Sequence, residues 1–216
     1  MSALTRALRL SPAERDQLFR AAGLLAPRDR TVGTHVPHSI RRLADRLGDL
    51  PIGVFSADWS LLWWNDTWTA LHGDPSALPV AERNLARALF GTGEGRRHLR
   101  PVTSTAGPYA FETAIVADLR ETVSRYPADA ELAALVAGLR AASPFFGELW
   151  TVASIEQLTG DVKTIGHPEL GDVTLDCDVL TVPGVDLRIV TYTAAQGTTG
   201  AEQLELLRAS RLSDAR

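Results

Sequence analysis

The most informative pattern of apolar and polar positions lies close to residue 60. Two short apolar runs, 54–55 and 61–64, flank a polar turn and have the β-branched and aromatic bias that is typical of strands. Asn65 or Asp66 follows, and either residue can cap a short helix because its side-chain oxygen accepts backbone N–H groups of the first turn. Gly73 can end that helix in a left-handed conformation. The pattern predicts a β-hairpin that leads into a helix.

The segment before this hairpin has the pattern of short helices. Residues 4–10 are helical in pattern, and the sequence Ser-Pro-Ala-Glu at 11–14 is a capping box that opens a second helix. Gly23 ends this helix, and residues 26–35 have the composition of a linker. A further helix over 37–47 leads into the hairpin.

The middle of the chain has apolar residues at helical spacing. Residues 81–90 form a short predicted helix that a glycine-rich segment ends. Two longer helices are predicted over 109–125 and 128–142, because apolar residues recur three and four positions apart in both. We expect them to form a helical hairpin that covers a sheet. Ser143 and Pro144 then start another short helix.

The last third of the chain changes to a period of two. Apolar residues alternate with aspartate and threonine over 171–182, which predicts a strand with one buried face and one solvated face. Pro183 and Gly184 make a turn into a second strand over 185–193, and 162–165 is a third strand beside them. We expect these strands and the first hairpin to form one curved antiparallel sheet covered by helices, an α+β fold.

The composition limits the class of protein. The chain has 216 residues, of which 45% are hydrophobic, so it can build a sizeable core. Its apolar runs are shorter than the about 18 residues of a membrane-spanning helix, and its start lacks the plan of a signal peptide. The sequence therefore predicts a cytoplasmic protein with no membrane partner. Cys177 is the only cysteine, so neither an internal disulfide nor a thiolate metal site is expected.

The charge is distributed unevenly along the chain. The formal net charge of −4 argues against nucleic-acid binding by the chain as a whole. Residues 1–46 nevertheless carry nine arginines and four acidic residues, whereas residues 47–216 carry 13 basic and 22 acidic residues. A basic N-terminal segment followed by an acidic remainder is expected for a DNA-contacting element beside a regulatory domain. The same distribution is expected equally for the solvated faces of amphipathic helices.

Catalytic and metal-binding patterns are weak. The sequence has no nucleophile elbow, zinc-protease motif, phosphate loop or dinucleotide fingerprint. Gly91–Gly95 lacks the Lys-Ser/Thr pair of a phosphate loop. His167 with Asp172, Asp176 and Asp178 could hold a metal, but these aspartates fit the solvated face of a strand better. We expect no enzyme, no cofactor and no metal, although a polar cluster inside a cavity would bring an enzyme back into consideration.

Five tryptophans stand out, four of them within residues 59–68. They either pack in the core and pair in the hairpin, or some of them line an apolar cavity together with Phe90 and Phe111, as in most small-molecule sites.

Five segments resemble one protein family and occur in the same order along the chain. These segments are Trp64-Asn65, Glu82 to Phe90, Leu139 to Trp150, His167-Pro168 with Gly171 and Leu175-Asp176, and Val190 to Thr193. Together they make residues 36 to about 207 resemble the ligand-binding domain of MmyB-like transcriptional regulators. The resemblance implies a PAS-like α+β fold that follows a helix-turn-helix in actinobacterial and related proteins.

The N-terminal segment resembles the last helices of a Cro/repressor-type (XRE) helix-turn-helix domain. This resemblance covers residues 3–23, and the helix that reads DNA would lie upstream of Met1. We therefore expect DNA binding only through a missing or partner-supplied helix-turn-helix. The expected organisation is a helix-turn-helix remnant (1–25), a linker (26–35), the ligand-binding domain (36–208), whose terminal helix covers 201–208, and a tail (209–216).

The family resemblance implies a small hydrophobic effector, with fatty acids as the ligand class. The carboxylate would need a cation or amide, and Arg83 and Asn84 are candidates, although both could simply cap or brace their own helix. The predicted ligand-binding residues are Phe55, Trp64, Arg83, Asn84, Phe90, Phe111, Phe146, Trp150 and Tyr192. The alternative is an interaction module without a ligand, in which the apolar face of 11–22 forms a homodimer or pairs with a complete regulator.

Overall fold

The computed structural model describes residues 12–21, 31–152, 160–182 and 184–214. Groups of helices and groups of strands follow one another along these residues, with two 3₁₀ turns at Pro75–Ala77 and Val80–Glu82. In chain order the elements are α1 (Pro12–Ala21), α2 (His38–Arg46), β1 (Ile52–Phe55), β2 (Leu61–Trp64), α3 (Asp66–His72), α4 (Leu85–Phe90), α5 (Glu94–His98), β3 (Val102–Ser104), α6 (Ala110–Arg125), α7 (Ala130–Ala142), α8 (Pro144–Thr151), β4 (Asp161–His167), β5 (Gly171–Val182), β6 (Leu187–Thr193) and α9 (Thr199–Asp214).

One antiparallel sheet joins the two ends of the domain. Its strand order is β2-β1-β6-β5-β4-β3, so β1 pairs with β2 on one side and with the last strand, β6, on the other. The α+β fold, with an antiparallel sheet covered by helices, is confirmed. Strands that lie more than 120 residues apart in the sequence therefore form the centre of a single sheet.

The two faces of the sheet carry different cores. Alternation along β5 buries Val173, Leu175 and Cys177 on the inner face, which packs against α3, α6, α7 and α9 in the main core. On the outer face, Ile52 and Val54 of β1 pack with residues of α2 and β6 in a smaller cluster. The strand predicted over 171–182 is confirmed, and its alternation of buried and solvated residues holds up to Cys177, beyond which Leu180 is exposed.

Asn65 fixes the start of α3 to the sheet. Its Oδ1 accepts hydrogen bonds from the backbone N–H groups of Trp68 (2.9 Å) and Ile52 (3.0 Å), and its Nδ2 donates to the carbonyl of Leu50 (2.6 Å). Of the two residues that the sequence offered as the cap, Asn65 is the one used. Because β1 also has a glycine at position 53, whose Cβ would lie 2.9 Å from the Trp68 ring, α3 packs very close to this strand.

A buried ionic network holds α6 against β6. Arg188 is 2% exposed and donates from Nε and Nη2 to the two carboxylate oxygens of Asp118, at 3.0 and 2.9 Å. Asp118 also accepts a hydrogen bond from the indole Nε1 of Trp59 at 2.8 Å. Two turns further along α6, Arg125 pairs with Asp186, and the pKa of that carboxyl lies below its ordinary value because hydrogen bonds and nearby cations outweigh its burial.

Several local predictions differ from the structure. The helix predicted over 81–90 is a 3₁₀ turn followed by α4, since Asn84 caps a new helix at that point. Helix α5 and the three-residue strand β3 were not predicted. The terminal helix runs to Asp214, so most of the expected tail belongs to α9. The predicted helix at 4–10 and residues 26–30 of the linker lie outside the described residues.

Among the described helices, none is by itself long and apolar enough to cross a membrane. Only α7 and α8 together meet that criterion, and they are bent by 118° at their junction.

Candidate functional site

A cavity of about 130 Å³ lies between the inner face of the sheet and the segment from α3 to α5. Its walls are mainly apolar, whereas Asp74, Glu82 and Arg83 add charged groups. The lining residues are Phe55, Leu61, Trp68, His72, Gly73, Asp74, Pro75, Leu78, Glu82, Arg83, Asn84, Leu85, Ala88, Gly95, His98, Leu99, Val102, Phe111, Val190 and Tyr192.

Three structural elements bring the apolar walls together. The sheet contributes Val190 and Tyr192 from β6, which lie two positions apart and therefore point to the same face. Helix α3 contributes Trp68 and His72, which are four positions apart and lie on one side of the helix. Ala88 of α4 has a small side chain facing the cavity, which leaves the space open.

Aromatic rings pack closely on one side of the cavity. The ring centre of His72 lies 4.4 Å from that of Trp68 and 5.2 Å from that of Tyr192. Phe55 meets Trp68 edge to face at 5.7 Å. Such contacts hold large rings in one orientation. The side chains of this aromatic wall (Phe55, Trp68, His72 and Tyr192) are therefore positioned before any ligand arrives.

His72 is a polar group without a partner in this wall. Its Nε2 is buried and has no hydrogen-bond partner among the described residues. Burial lowers the pKa of the imidazole to about 3, and the positive charges of Arg100 and His167 act in the same direction. The ring is therefore neutral at pH 7.

Two basic side chains near His72 hold the end of α3. Arg100 Nη1 donates to the carbonyl of Ala70 at 3.1 Å, and His167 Nε2 is 3.0 Å from the same oxygen. His167 Nδ1 accepts the backbone N–H groups of Glu169 and Leu170, both at 3.2 Å. Both nitrogens of His167 are thus engaged by the backbone. No group of three or more His, Cys, Asp or Glu side chains within the described ranges could hold a metal ion.

Arg83 and Asn84 line the cavity but are bound to their own surroundings. Arg83 donates from Nε to the carbonyl of Leu78 at 3.0 Å and from Nη2 to that of Ser76 at 3.3 Å. Asn84 Oδ1 accepts the backbone N–H of Arg87 at 3.0 Å as the cap of α4, while its Nδ2 donates to the Asp58 carbonyl and the Ser60 hydroxyl. Arg83 thus braces the preceding segment and Asn84 caps its own helix, which are the structural roles that the sequence analysis considered for them. A grip on a ligand carboxylate stays a prediction.

The other sequence-predicted site residues divide into two groups. Phe55, Phe111 and Tyr192 lie on the cavity wall. Four others do not line it, and they are Trp64, Phe90, Phe146 and Trp150. The last three form their own ring cluster, with ring centres 5.1 Å apart for Phe90 and Phe146 and 5.4 Å for Phe146 and Trp150. A role of all these residues in ligand binding stays a prediction.

The predicted ligand-binding residues did not include Trp68, His72 or Ala88, although Trp68 was among the tryptophans considered for a cavity. A signal for the first two was present, because the spacing of four places both on one side of a predicted helix. Cys177 gives no reactive site, since burial raises the pKa of its thiol to about 11 and keeps it protonated.

Residues 36–207 match the family model of the MmyB-like transcription regulator ligand binding domain. The chain belongs to this family. The match covers every element from α2 to β6 and reaches into α9. It begins at Val36, so the resemblance of residues 3–23 to a helix-turn-helix stays a prediction. No curated protein matches the chain significantly. Membership of the MmyB-like family supports a ligand-sensing role in regulation, with a small molecule as the ligand.

Proposed function

We propose that this MmyB-like domain senses a small hydrophobic effector, fatty-acid-like in character, that enters the cavity beside the aromatic wall. The observation that carries the proposal is the apolar cavity, which lies between the sheet and the segment from α3 to α5. The domain that contains it belongs to a family of ligand-binding domains. Small-molecule sites in proteins are typically concave and apolar with a few polar groups. The domain acts by binding and not by catalysis.

The size of the cavity limits how much of an elongated ligand it can enclose. A dry cavity of about 150 Å³ in another protein takes up benzene. A volume of about 130 Å³ therefore encloses only part of a long chain. The remainder would have to extend between Leu78 and Leu99, where a 3₁₀ turn and α5 border the cavity. Each methylene that becomes buried contributes about 0.8 kcal/mol, so ten carbons can reach micromolar affinity after the entropic cost of association.

A ligand alters a regulator only if it binds two conformations with different affinity. Phe111 lies on the cavity wall at the start of α6, and α7 follows α6 in the chain and ends at Ala142. We propose that filling the cavity moves the start of α6 and with it α6 and α7, or changes the docking of residues 1–23.

Titration with decanoic acid tests the proposed function. Trp68 lies on the cavity wall, so saturating decanoic acid should change tryptophan emission with a dissociation constant on the order of micromolar, and it should raise the melting temperature because ligand binds only the folded state. Octane-1,8-diol, which has polar groups at both ends of its chain, is the control and should bind far more weakly. Unchanged emission and melting temperature up to the solubility limit of decanoic acid would contradict the proposal.

Homodimer formation has one observation in its favour. Leu43 and Leu47 lie one turn apart on the outer side of α2 and its end, and they are 52% and 45% exposed. The face of α1 that the sequence offered for pairing is less open, since Phe19 is 5% exposed. We propose that a second copy of the chain covers Leu43 and Leu47, and that DNA is reached through a helix-turn-helix upstream or on a partner.

Sedimentation measures this association. The chain should show a concentration-dependent shift from monomer to dimer, and Leu43→Glu should abolish it because a charge cannot be buried unpaired in the interface. Glu202→Gln on α9 serves as a surface control and should sediment like the wild type. A wild-type chain that stays monomeric at all concentrations would count against the dimer.

A further inference from the structure

The unpartnered His72 nitrogen belongs to a side chain in the wall of the cavity that we propose as the ligand site. Buried side-chain nitrogens and oxygens almost always have a hydrogen-bond partner, and an exception calls for a missing partner such as a water or a ligand. His72 combines a ring on the cavity wall with a buried Nε2 that nothing in the described residues satisfies. The partner is therefore expected inside the cavity.

No neighbouring side chain on the elements around His72 can fill this role. Arg100, before β3, donates to carbonyls at the end of α3, and His167 of β4 is engaged through both ring nitrogens. Tyr192 of β6 interacts through its hydroxyl with the thiol of Cys177. The remaining titratable groups near His72 or on the cavity wall are Asp74, Glu82, Arg83, His98 and Glu169, and none of them is hydrogen-bonded to its ring.

We propose that His72 anchors the head group of an amphiphile that binds in an uncharged form, as an alcohol, an amide or a protonated carboxylic acid. The proposal rests on the proposed function, because it assigns the head group of the same ligand. The imidazole packs in a triangle with the rings of Trp68 and Tyr192, whose own centres lie 5.9 Å apart, and these contacts hold its plane. A half-turn of the imidazole about χ2 keeps that plane, exchanges the positions of its nitrogens and carbons, and would present a ring nitrogen to the ligand without moving α3.

Electrostatics decides against a charged head group at this position. A carboxylate would need a proton on His72 or a free cation beside it. The pKa of His72 is about 3, and Arg100 is already bound to backbone carbonyls. A carboxylic acid has an ordinary pKa of about 4.3, so at pH 7 the acid is easier to protonate than the imidazole. A fatty acid that binds at His72 would therefore take up one proton, whereas an alcohol would take up none.

Calorimetric titration of 1-decanol and decanoic acid into the full chain tests this anchor. His72→Phe keeps a ring against Trp68 and Tyr192 but removes both nitrogens, and it should weaken decanol binding about tenfold, the effect of one neutral hydrogen bond. His72→Gln restores a donor and an acceptor, so it should recover most of that loss. The exposed His38 at the start of α2 provides the matched control, and His38→Phe should leave both affinities unchanged.

The pH dependence separates the two chemical forms of the acid. If one proton is taken up, the affinity of the wild type for decanoic acid should fall nearly tenfold for each pH unit between 6 and 8, while that for decanol stays constant. Equal decanol affinity in the wild type and His72→Phe would contradict a role of His72 in binding the head group, without contradicting the proposed function. Decanoate binding that is flat with pH and lost in Arg83→Met would also overturn it. If the wild type binds neither compound, the proposed function fails as well.

Discussion

Asp118→Ala should destabilise the domain by about 3 to 5 kcal/mol, the range for removing one partner of a buried ion pair. The substitution leaves the Arg188 guanidinium, 2% exposed, without its two carboxylate acceptors on Asp118, so that the Asp186 carbonyl and the Thr122 hydroxyl are its remaining hydrogen-bond acceptors. It also leaves the indole N–H of Trp59 unpaired. A domain of this size has a total stability of about 5 to 15 kcal/mol, so much of it would be lost. Urea denaturation gives the free energy of unfolding directly.

Glu121→Gln is the matched control on the same helix. Its carboxylate also pairs with a buried arginine, Arg125, at 3.0 Å, but the Glu121 side chain is 58% exposed. Solvent screens such a pair, so the loss should stay below about 1 kcal/mol. The double variant Asp118→Ala with Arg188→Met should be more stable than Asp118→Ala alone, because it removes the buried guanidinium that has lost its Asp118 partner. Equal unfolding free energies for the Asp118 and Glu121 single variants would contradict this account of the network.

Ala88→Phe should weaken the binding of decanoic acid more than about 100-fold, equal to about 2.8 kcal/mol. Ala88 of α4 is 7% exposed and faces the cavity, so a phenyl ring at this position would occupy the space of the ligand. The tryptophan-emission titration measures the affinity. Ala88→Leu is smaller and should give an intermediate loss, which keeps the test informative if the phenyl ring strains the core.

Ala134→Phe on the exposed side of α7 serves as the control for an added ring. It should bind decanoic acid as the wild type does, and circular dichroism of both variants should show the wild-type helix and strand content. Wild-type affinity in a folded Ala88→Phe variant would place the ligand elsewhere in the domain.

The sequence predicted elements wherever a local signal was strong. The capping of α3 by Asn65 depends on bonds within a few residues, and the period of two over β5 follows from one face that is buried along its whole length up to Cys177. In contrast, β3 has three residues, too few to show a period, and it is held by pairing with β4 about 60 residues later. Helix α5 spans five residues in a glycine-rich segment that is typical of loops.

The cavity was harder to predict because its walls meet only in the folded chain. Phe111 and Tyr192 are 81 positions apart, and nothing local shows that they share a wall. The tryptophan cluster did not predict the cavity clearly for the same reason, because its members lie in different environments of the folded chain. Trp68 lines the cavity, Trp59 binds Asp118 in the network, and Trp63 packs on the outer face of the sheet. Residue type alone did not separate these three environments.

Native mass spectrometry of the full chain purified from cells tests the central claim most directly. We expect the wild type to carry an added mass of lipid size that is released on denaturation, and Ala88→Phe to lack it, since the cavity beside the aromatic wall is then filled. A bare polypeptide mass for the wild type, together with no uptake of added decanoic acid, would contradict a ligand-sensing cavity in this MmyB-like domain.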